Sequence, residues 1–226
     1  MNARAQALAF WQEPEIVQQF AARSPDHRLV RLAASYANPP QVRVLDLGCA
    51  GGRNTRFLLE RGFDVTAVDF SPAMVAATRE RVAALRGADE AAARVRLGAM
   101  DDLAGIPDGS ADLIVALGIY HGATSRPEWE RALAESARIA ARGALVLVAN
   151  HGAGYDPDGT GLPPVPGEPF LFDGMRSGRS FLFDAPNLDR EFGRAGFVPW
   201  VPTETVRKGT DGGGVRVTVN ALYRRG

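Results

Sequence analysis

Two aspartates and a knot of glycines are the residues of this chain best spaced for chemistry. Val44-Leu45-Asp46-Leu47 is an apolar run carrying an acid, and Gly48-Cys49-Ala50-Gly51-Gly52 follows at once, ahead of a polar helix start at Arg53-Asn54-Thr55. A second apolar run, Val65-Thr66-Ala67-Val68, ends in Asp69 and leads into Phe70-Ser71. Acid, glycine turn, helix N-terminus and a further acid about twenty residues on are how a parallel sheet holds a nucleotide-type cofactor at the carboxyl ends of its strands. Glycine admits close approach of backbone to a ligand, and the first amides of a helix are free to hold an anionic group.

The elements that must position these residues alternate along the chain, which predicts βαβ units around a parallel sheet. Residues 3–37 read as helices broken near Pro14 and near Ser24-Pro25, with Ser24 able to cap the helix that follows. Strands are expected at Val42–Leu47, Val65–Val68, Val95–Leu97, Asp112–Leu117 and Ala144–Ala149, and helices at Gly52–Glu60, Ser71–Leu85 and Pro127–Ile139. The stretch from Asn150 to Asp184 is rich in Gly and Pro, too punctuated for a long helix. Its aromatics, Tyr155, Phe170, Phe172, Phe181 and Phe183, argue for an ordered lid or substrate wall rather than disorder. A short helix at Asn187–Ala195 precedes strands at Phe197–Val201 and Val215–Tyr223, joined by the turn-rich link Lys208–Gly214.

Composition narrows the function classes. The chain has 226 residues, 46% of them hydrophobic, enough for one α/β domain with a full core. Within that single domain, 1–40 reads as a helical cap, 42–150 as the cofactor-binding half, 151–184 as the lid and 185–226 as a closing helix and hairpin. Twenty-six basic residues balance twenty-six acidic ones, so no charge footprint for nucleic acid or an anionic membrane is expected. One cysteine, Cys49, excludes a disulfide framework and a cysteine-based zinc site, and no metal is expected. No apolar run approaches the roughly eighteen residues of a spanning helix. A cytoplasmic protein, monomeric or homodimeric, with a small-molecule partner is the expectation.

Leu45-Asp46-Leu47-Gly48-Cys49-Ala50-Gly51-Gly52 resembles motif I of the class I S-adenosylmethionine-dependent methyltransferases, and the likeness extends from Val42 onward. Gly52-Arg53-Asn54-Thr55 and the stretch from Phe181 to Arg225 look most like the tellurite-resistance, small-molecule branch. The resemblance implies a Rossmann-like sheet of seven mostly parallel strands with a reversed edge strand and helices on both faces. It implies S-adenosylmethionine as cofactor and S-adenosylhomocysteine as product. The donor contacts it implies are Asp46, Gly48, Cys49, Ala50, Gly52, Asn54, Thr55, Asp69, Phe70, Ser71, Met74, Met100, Asp101 and Leu117. Asp69 would accept from the ribose hydroxyls, and Phe70 and Met74 would pack on adenine. Two departures stand out: Ala50 replaces the usual middle glycine, and Ala99 stands where the family often has an acid for the adenine amino group, a task that Met100 backbone or Asp101 could take.

The reacting centre is then expected just past the fourth strand, at Gly118-Ile119-Tyr120-His121. Methyl transfer from a sulfonium asks mainly for proximity, alignment and a dry pocket, with a base only if the acceptor arrives protonated. His121 is the candidate base, because imidazole is available in its neutral form near pH 7, and Tyr120 could orient an acceptor or fill the wall. Trp11, His151, Arg179 and Arg207 are candidate acceptor contacts. The acceptor atom is left open among oxygen, nitrogen, sulfur and chalcogen. A non-catalytic cofactor-binding scaffold is the alternative from another class. A nicotinamide oxidoreductase is disfavoured, since Gly48–Gly52 lacks the G-x-G-x-x-G spacing.

Overall fold

The computed structural model describes residues 2–226; Met1, at the start of the expected cap, lies outside them. Five parallel strands form the centre: β1 (Arg43–Leu47), β2 (Asp64–Asp69), β3 (Val95–Leu97), β4 (Ala111–Leu117) and β5 (Ala140–His151). Their near-continuous apolar sequences follow from burial on both faces. Helices α3 (His27–Ala33), α4 (Arg53–Glu60), α5 (Pro72–Arg86) and α6 (Ala88–Arg94) bring Leu29, Leu58, Val82 and Ala91 onto one face. Helices α7 (Arg126–Ile139) and α8 (Ala185–Arg194) bring Trp129, Leu133, Leu188 and Phe192 onto the other. Serine or aspartate begins three of these helices ahead of an early proline: Ser71, Ser125 and Asp184 each accept a backbone amide three residues on.

The sheet runs in the order β3-β2-β1-β4-β5, followed by antiparallel β10 (Val215–Arg225) and β8 (Phe197–Pro199), with β9 (Glu204–Gly209) also on β10. The main sheet therefore has eight strands where seven were expected. Connections leave β1 and β4 in opposite directions, and the crevice beyond their carboxyl ends is where such sheets bind ligands. The extra strand corrects the closing hairpin. The turn after Gly209 joins β9, not β8, to the first half of β10, from Val215↔Gly209 to Asn220↔Glu204, while β8 pairs only with Tyr223–Arg225. Every residue of β9 is exposed, so the alternation that reveals a strand is missing; its Glu204, Arg207 and Lys208 are the charges of a protected edge.

The cap is three helices, α1 (Ala3–Trp11), α2 (Pro14–Ala22) and α3. The break near Pro14 falls as expected, but Asp26 rather than Ser24 caps α3, accepting from the Arg28 amide. The stretch from Asn150 to Asp184 is ordered around a two-stranded hairpin, β6 (Leu171–Met175) and β7 (Gly178–Phe181). Phe181 and Phe183 pack on Trp129 and hold it to the domain, and Arg176 pairs with Glu13 of the cap at 2.9 Å. Among the described residues, no helix is long and apolar enough to cross a membrane.

Candidate active site

The glycine loop after β1 is shaped by what lies around it. Gly48 has φ +70°, and a Cβ there would stand 1.9 Å from Ile119 Cδ1 in the loop after β4. A Cβ on Gly51 would meet the Ala21 Cβ at 2.6 Å, so the loop also receives the cap. Ala50 takes a left-handed conformation, φ +50°, that glycine adopts freely. Two side chains hold it there: Asp69 accepts its N–H at 2.9 Å, and the Thr78 hydroxyl donates to its carbonyl at 2.5 Å. The sequence departure at Ala50 is thus a strained residue secured from both sides.

Both acids line the cavity that opens at this edge. Asp46 is 1% exposed, with Oδ2 accepting from the Thr55 hydroxyl at 2.5 Å. Burial pushes its pKa up to about 6. Asp69 is 7% exposed and accepts from the Ser71 and Ala50 amides, both at 2.9 Å; burial raises its pKa despite these bonds. Among the described residues neither acid forms an ion pair. Helix α4 starts beside them from Gly52, φ +78°, with no side-chain cap. Two buried carboxylates without an ion-pair partner, Arg53 reaching Asp46 only through its field, and helix amides without a cap suit a ligand carrying an ammonium, a carboxylate and hydroxyls.

Beyond Leu117 the cavity continues along Gly118, Ile119, His121, Thr124, Glu128, Ser177 and Arg179. His121 Nδ1 accepts the His151 backbone N–H at 3.3 Å, which leaves the proton on Nε2. Burial lowers the His121 pKa to about 4, so the ring is neutral near pH 7. The ring stacks on His151 at 3.7 Å, and His151 stacks on Tyr155 at 3.8 Å. Glu128, 7% exposed, uses Oε2 to accept from the Thr124 amide at 2.8 Å and hydroxyl at 2.6 Å, while its Oε1 has no partner among the described residues. Arg179 is held more loosely, by Asp173 at 3.3 Å and the Thr124 carbonyl at 3.5 Å.

Of the residues singled out in the sequence, the cavity wall holds Asp46, Gly48, Cys49, Ala50, Asn54, Asp69, Phe70, Met100, Leu117, His121, Trp11 and Arg179. The others serve the wall from behind or lie elsewhere. Gly52 turns into α4 with its Cα toward Thr78, Thr55 is committed to Asp46, and Ser71 is spent on capping α5 and on the Trp11 carbonyl. Met74 is a core residue, 1% exposed, rather than a cover for adenine. Asp101 is tied to Arg131 at 2.9 Å and Arg4 at 3.3 Å, which takes it from the adenine amino group. Tyr120 is fully buried, bonded to Ser136 at 2.8 Å and packed on Phe192, so it cannot orient an acceptor. His151 backs His121, its Nδ1 3.3 Å from Ser180 Oγ. Arg207 lies on exposed β9 against the Ala153 carbonyl.

Sequence reasoning missed Arg4, Phe20, Arg53, Thr124, Glu128 and Ser177 on the wall. Glu128 had one signal: Ser125-x-x-Glu128 is a capping-box pattern. Here the carboxylate goes to Thr124, one residue ahead of the cap, rather than to the cap residue's own amide. Among the described residues no cluster of three or more His, Cys, Asp or Glu could hold a metal ion.

Residues 44–143 match a family model described as a methyltransferase domain. A malonyl-[acyl-carrier protein] O-methyltransferase of Serratia marcescens is 30% identical over 156 residues, 68% of this chain and 55% of that protein. A phosphatidylethanolamine N-methyltransferase of Cereibacter sphaeroides is 31% identical over 121 residues, 54% of this chain and 56% of that protein. The chain spans about half the length of these relatives. Among solved structures, the N-methyltransferase NodS of Bradyrhizobium japonicum in complex with S-adenosylhomocysteine superposes with TM-score 0.63 at 12% identity, over 100% of this chain and 99% of that one. The 1,6-didemethyltoxoflavin-N1-methyltransferase of Burkholderia thailandensis gives 0.60 at 20% identity, over 99% and 84%. At such identities the structural likeness is one of fold. The matched segment, set on this sheet order and glycine loop, makes residues 44–143 a methyltransferase domain.

Proposed function

We propose that the chain transfers a methyl group from S-adenosylmethionine to a small acceptor and releases S-adenosylhomocysteine. The carrying observation is the pair of buried acids, Asp46 and Asp69, set without an ion-pair partner around the left-handed Gly48–Ala50 turn. In this reading Asp46 faces the ammonium of the donor, the first amides of α4 take its carboxylate, and Asp69 accepts from the ribose hydroxyls. Phe70 and Met100 flank adenine. The acceptor lies past Leu117, against His121, Glu128, Arg179 and Trp11. The names of the relatives, an O-methyltransferase of an acyl carrier and N-methyltransferases, put oxygen and nitrogen first among the accepting atoms to test, with sulfur after them.

The step is an in-line displacement. The acceptor's lone pair attacks the methyl carbon, the carbon–sulfur bond breaks, and its electron pair stays on sulfur as the neutral thioether. Proximity and exclusion of water supply most of the acceleration. His121 does not serve as the base in this arrangement, because Nδ1 is occupied by the His151 amide and Nε2 carries the proton. It donates a hydrogen bond to the acceptor instead. Where the acceptor brings a proton, Glu128 Oε1 receives it. Calorimetric titration with S-adenosylhomocysteine tests the donor half. Binding is expected for the wild type, with a loss of about 100-fold in Asp69→Ala, the cost of two bonds to a charged acceptor. No binding by the wild type, or an unchanged Asp69→Ala, overturns the reading.

A further inference from the structure

We propose that the chain forms a two-fold dimer through the open edge of β9, with a second copy of itself as the partner. None of the residues involved lines the donor or acceptor end of the cavity, so the dimer goes beyond the methyl-transfer reading and does not depend on it.

β9 pairs with β10 along one side, from Glu204↔Asn220 to Gly209↔Val215, and among the described residues no strand or bridge takes its other side. The backbone N–H and C=O groups of such an edge are a template for another strand. Exposed apolar surface gathers at the same place. Among the described residues, four of the six large hydrophobic side chains left exposed, Val198, Trp200, Val201 and Val206, belong to β8, β9 and the link between them. Strand register puts three of these on one face. Val206 stands opposite Thr218 and Val198 opposite Arg224, and Trp200 donates its N–H to the Leu222 carbonyl at 2.7 Å. Side chains two residues apart on β10 share a face. Glu204, opposite Asn220, and Lys208, opposite Arg216, lie on that face too.

The order of the charges selects the partner. Two copies of one edge meet antiparallel about a two-fold axis normal to the sheet, which passes through a residue and keeps each face on its own side. With Val206 on the axis, Glu204 of each copy stands opposite Lys208 of the other, Val206 meets Val206, and Thr205 meets Arg207. Both opposite-charge pairs and the apolar contact then share the face that carries Val198 and Trp200. With Thr205 on the axis, Glu204 faces Val206; with Arg207 there, the two Arg207 side chains face each other. Glu204-Thr205-Val206-Arg207-Lys208 is thus complementary to itself in one register. Within a single copy Lys208 has Arg216 across the ladder, a like charge, and neither forms an ion pair among the described residues. Glu204 of the second copy relieves that opposition from the other side. The charges that protect this edge from indiscriminate pairing therefore admit one partner.

Sedimentation velocity of the full chain at low salt, from about 1 to about 200 µM, covers the range expected for a small interface. The mass should rise to twice that of the chain. Lys208→Glu and Glu204→Lys each turn two attractive cross-strand pairs into repulsive ones and should weaken the dimer about tenfold. The two substitutions together reverse the order of charges without spoiling it, and should return the affinity to within about threefold of the wild type. Circular dichroism of all three variants should match the wild type, because every residue of β9 is exposed. A chain that stays monomeric throughout overturns the proposal and leaves the edge to a different partner. A dimer indifferent to both single reversals uses another surface and overturns it as well. Failure of the paired reversal to restore a dimer that the single ones weaken rejects the Val206 register. Masses growing beyond the dimer also overturn it, since a two-fold pairing of edges closes on itself.

Discussion

The two ends of the cavity are built differently. The donor end comes mostly from one stretch, Asp46 to Ser71, with Thr78 and Met100 added from farther along, and works through backbone: left-handed Gly48 and Ala50, the uncapped start of α4, and two carboxylates bonded to amides or a hydroxyl. The acceptor end gathers side chains from separate places: Trp11 from α1, His121 from the loop after β4, Glu128 from α7, and Ser177 and Arg179 from the β6–β7 hairpin. Change at the donor end disturbs the fold as well as binding. Change at the acceptor end can alter what is methylated while the sheet stays intact, so one scaffold can serve many acceptors.

The largest separation of the two ends should come from Glu128→Gln. The amide side chain keeps the length and can still accept from Thr124, but it cannot take a proton. With an acceptor found from a panel of amines, carboxylic acids and thiols, turnover should fall about 100-fold, the lower range for loss of a general base. S-adenosylhomocysteine affinity should stay within about twofold. A variant that turns over normally would show that the acceptor arrives already deprotonated. At the donor end, Gly48→Ala should instead cost stability, about 2 kcal/mol for a Cβ at positive φ forced into Ile119. Denaturant unfolding reads this cost, and Ile119→Ala in the same chain should restore part of it by clearing the overlap. A cost that Ile119→Ala leaves untouched would place all of it in the backbone.

The donor end was legible in the sequence for the reason that makes it costly to alter. Its parts are neighbours in the chain, and each residue type is dictated by a local demand: glycine where a Cβ has no room, an acid at a strand end, Ser71-Pro72 where a helix begins. The misses there concern direction. Met74 and Thr55 sit on helices beside the ligand edge, but a helix offers a cavity one face only, and theirs turn to the core and to Asp46. Asp101 looked free because its partners, Arg4 and Arg131, are 97 and 30 residues away. The acceptor end was legible only as a lid. Glu128 was missed altogether, Tyr120 read as a site residue because it precedes His121, and β9 left no pattern because no face of it is buried. Contacts across the chain decide all three, and spacing does not carry them.

A pH series sharpens the comparison through Asp46 and His121, one group at each end of the cavity. Asp46, with its pKa raised from 3.8 to about 6, binds more protons folded than unfolded between those values, so its contribution to stability falls as pH rises through that window. His121, lowered from 6.5 to about 4, binds more protons unfolded, so its contribution rises with pH over nearly the same range. The two oppose each other, as do Asp69, raised by burial, and His151, lowered by burial, and the wild type should show a shallow stability profile from pH 4 to 6.5. Asp46→Asn should expose the His121 slope, with stability falling as the solution is acidified. Donor affinity should follow the donor-end acids, Asp46 first because it faces a charge. An ammonium beside it needs the ionised form, so S-adenosylhomocysteine should bind about tenfold more weakly at pH 5 than at pH 7, one proton per tenfold. Asp46→Asn should remove most of that dependence. A pH-independent affinity in the wild type would take Asp46 away from the ammonium.

The smallest effect is expected at Tyr120, which adjoins the acceptor end in sequence and the core in space. Tyr120→Phe removes a hydroxyl bonded to Ser136, whose own oxygen still donates to the Ala132 carbonyl at 2.9 Å. The Ser136 proton thus keeps a partner, and the ring keeps its packing on Trp129 and Phe192. The loss should be about 1 kcal/mol of unfolding free energy, the net worth of one neutral hydrogen bond. Turnover and the pH profile should not change. His121→Gln, one residue on, should act chiefly on the acceptor KM, because the ring lines the cavity wall that Tyr120 does not reach. Should Tyr120→Phe slow turnover while His121→Gln does not, the boundary between core and acceptor wall runs on the other side of this pair, and the loop after β4 presents a different face to the acceptor.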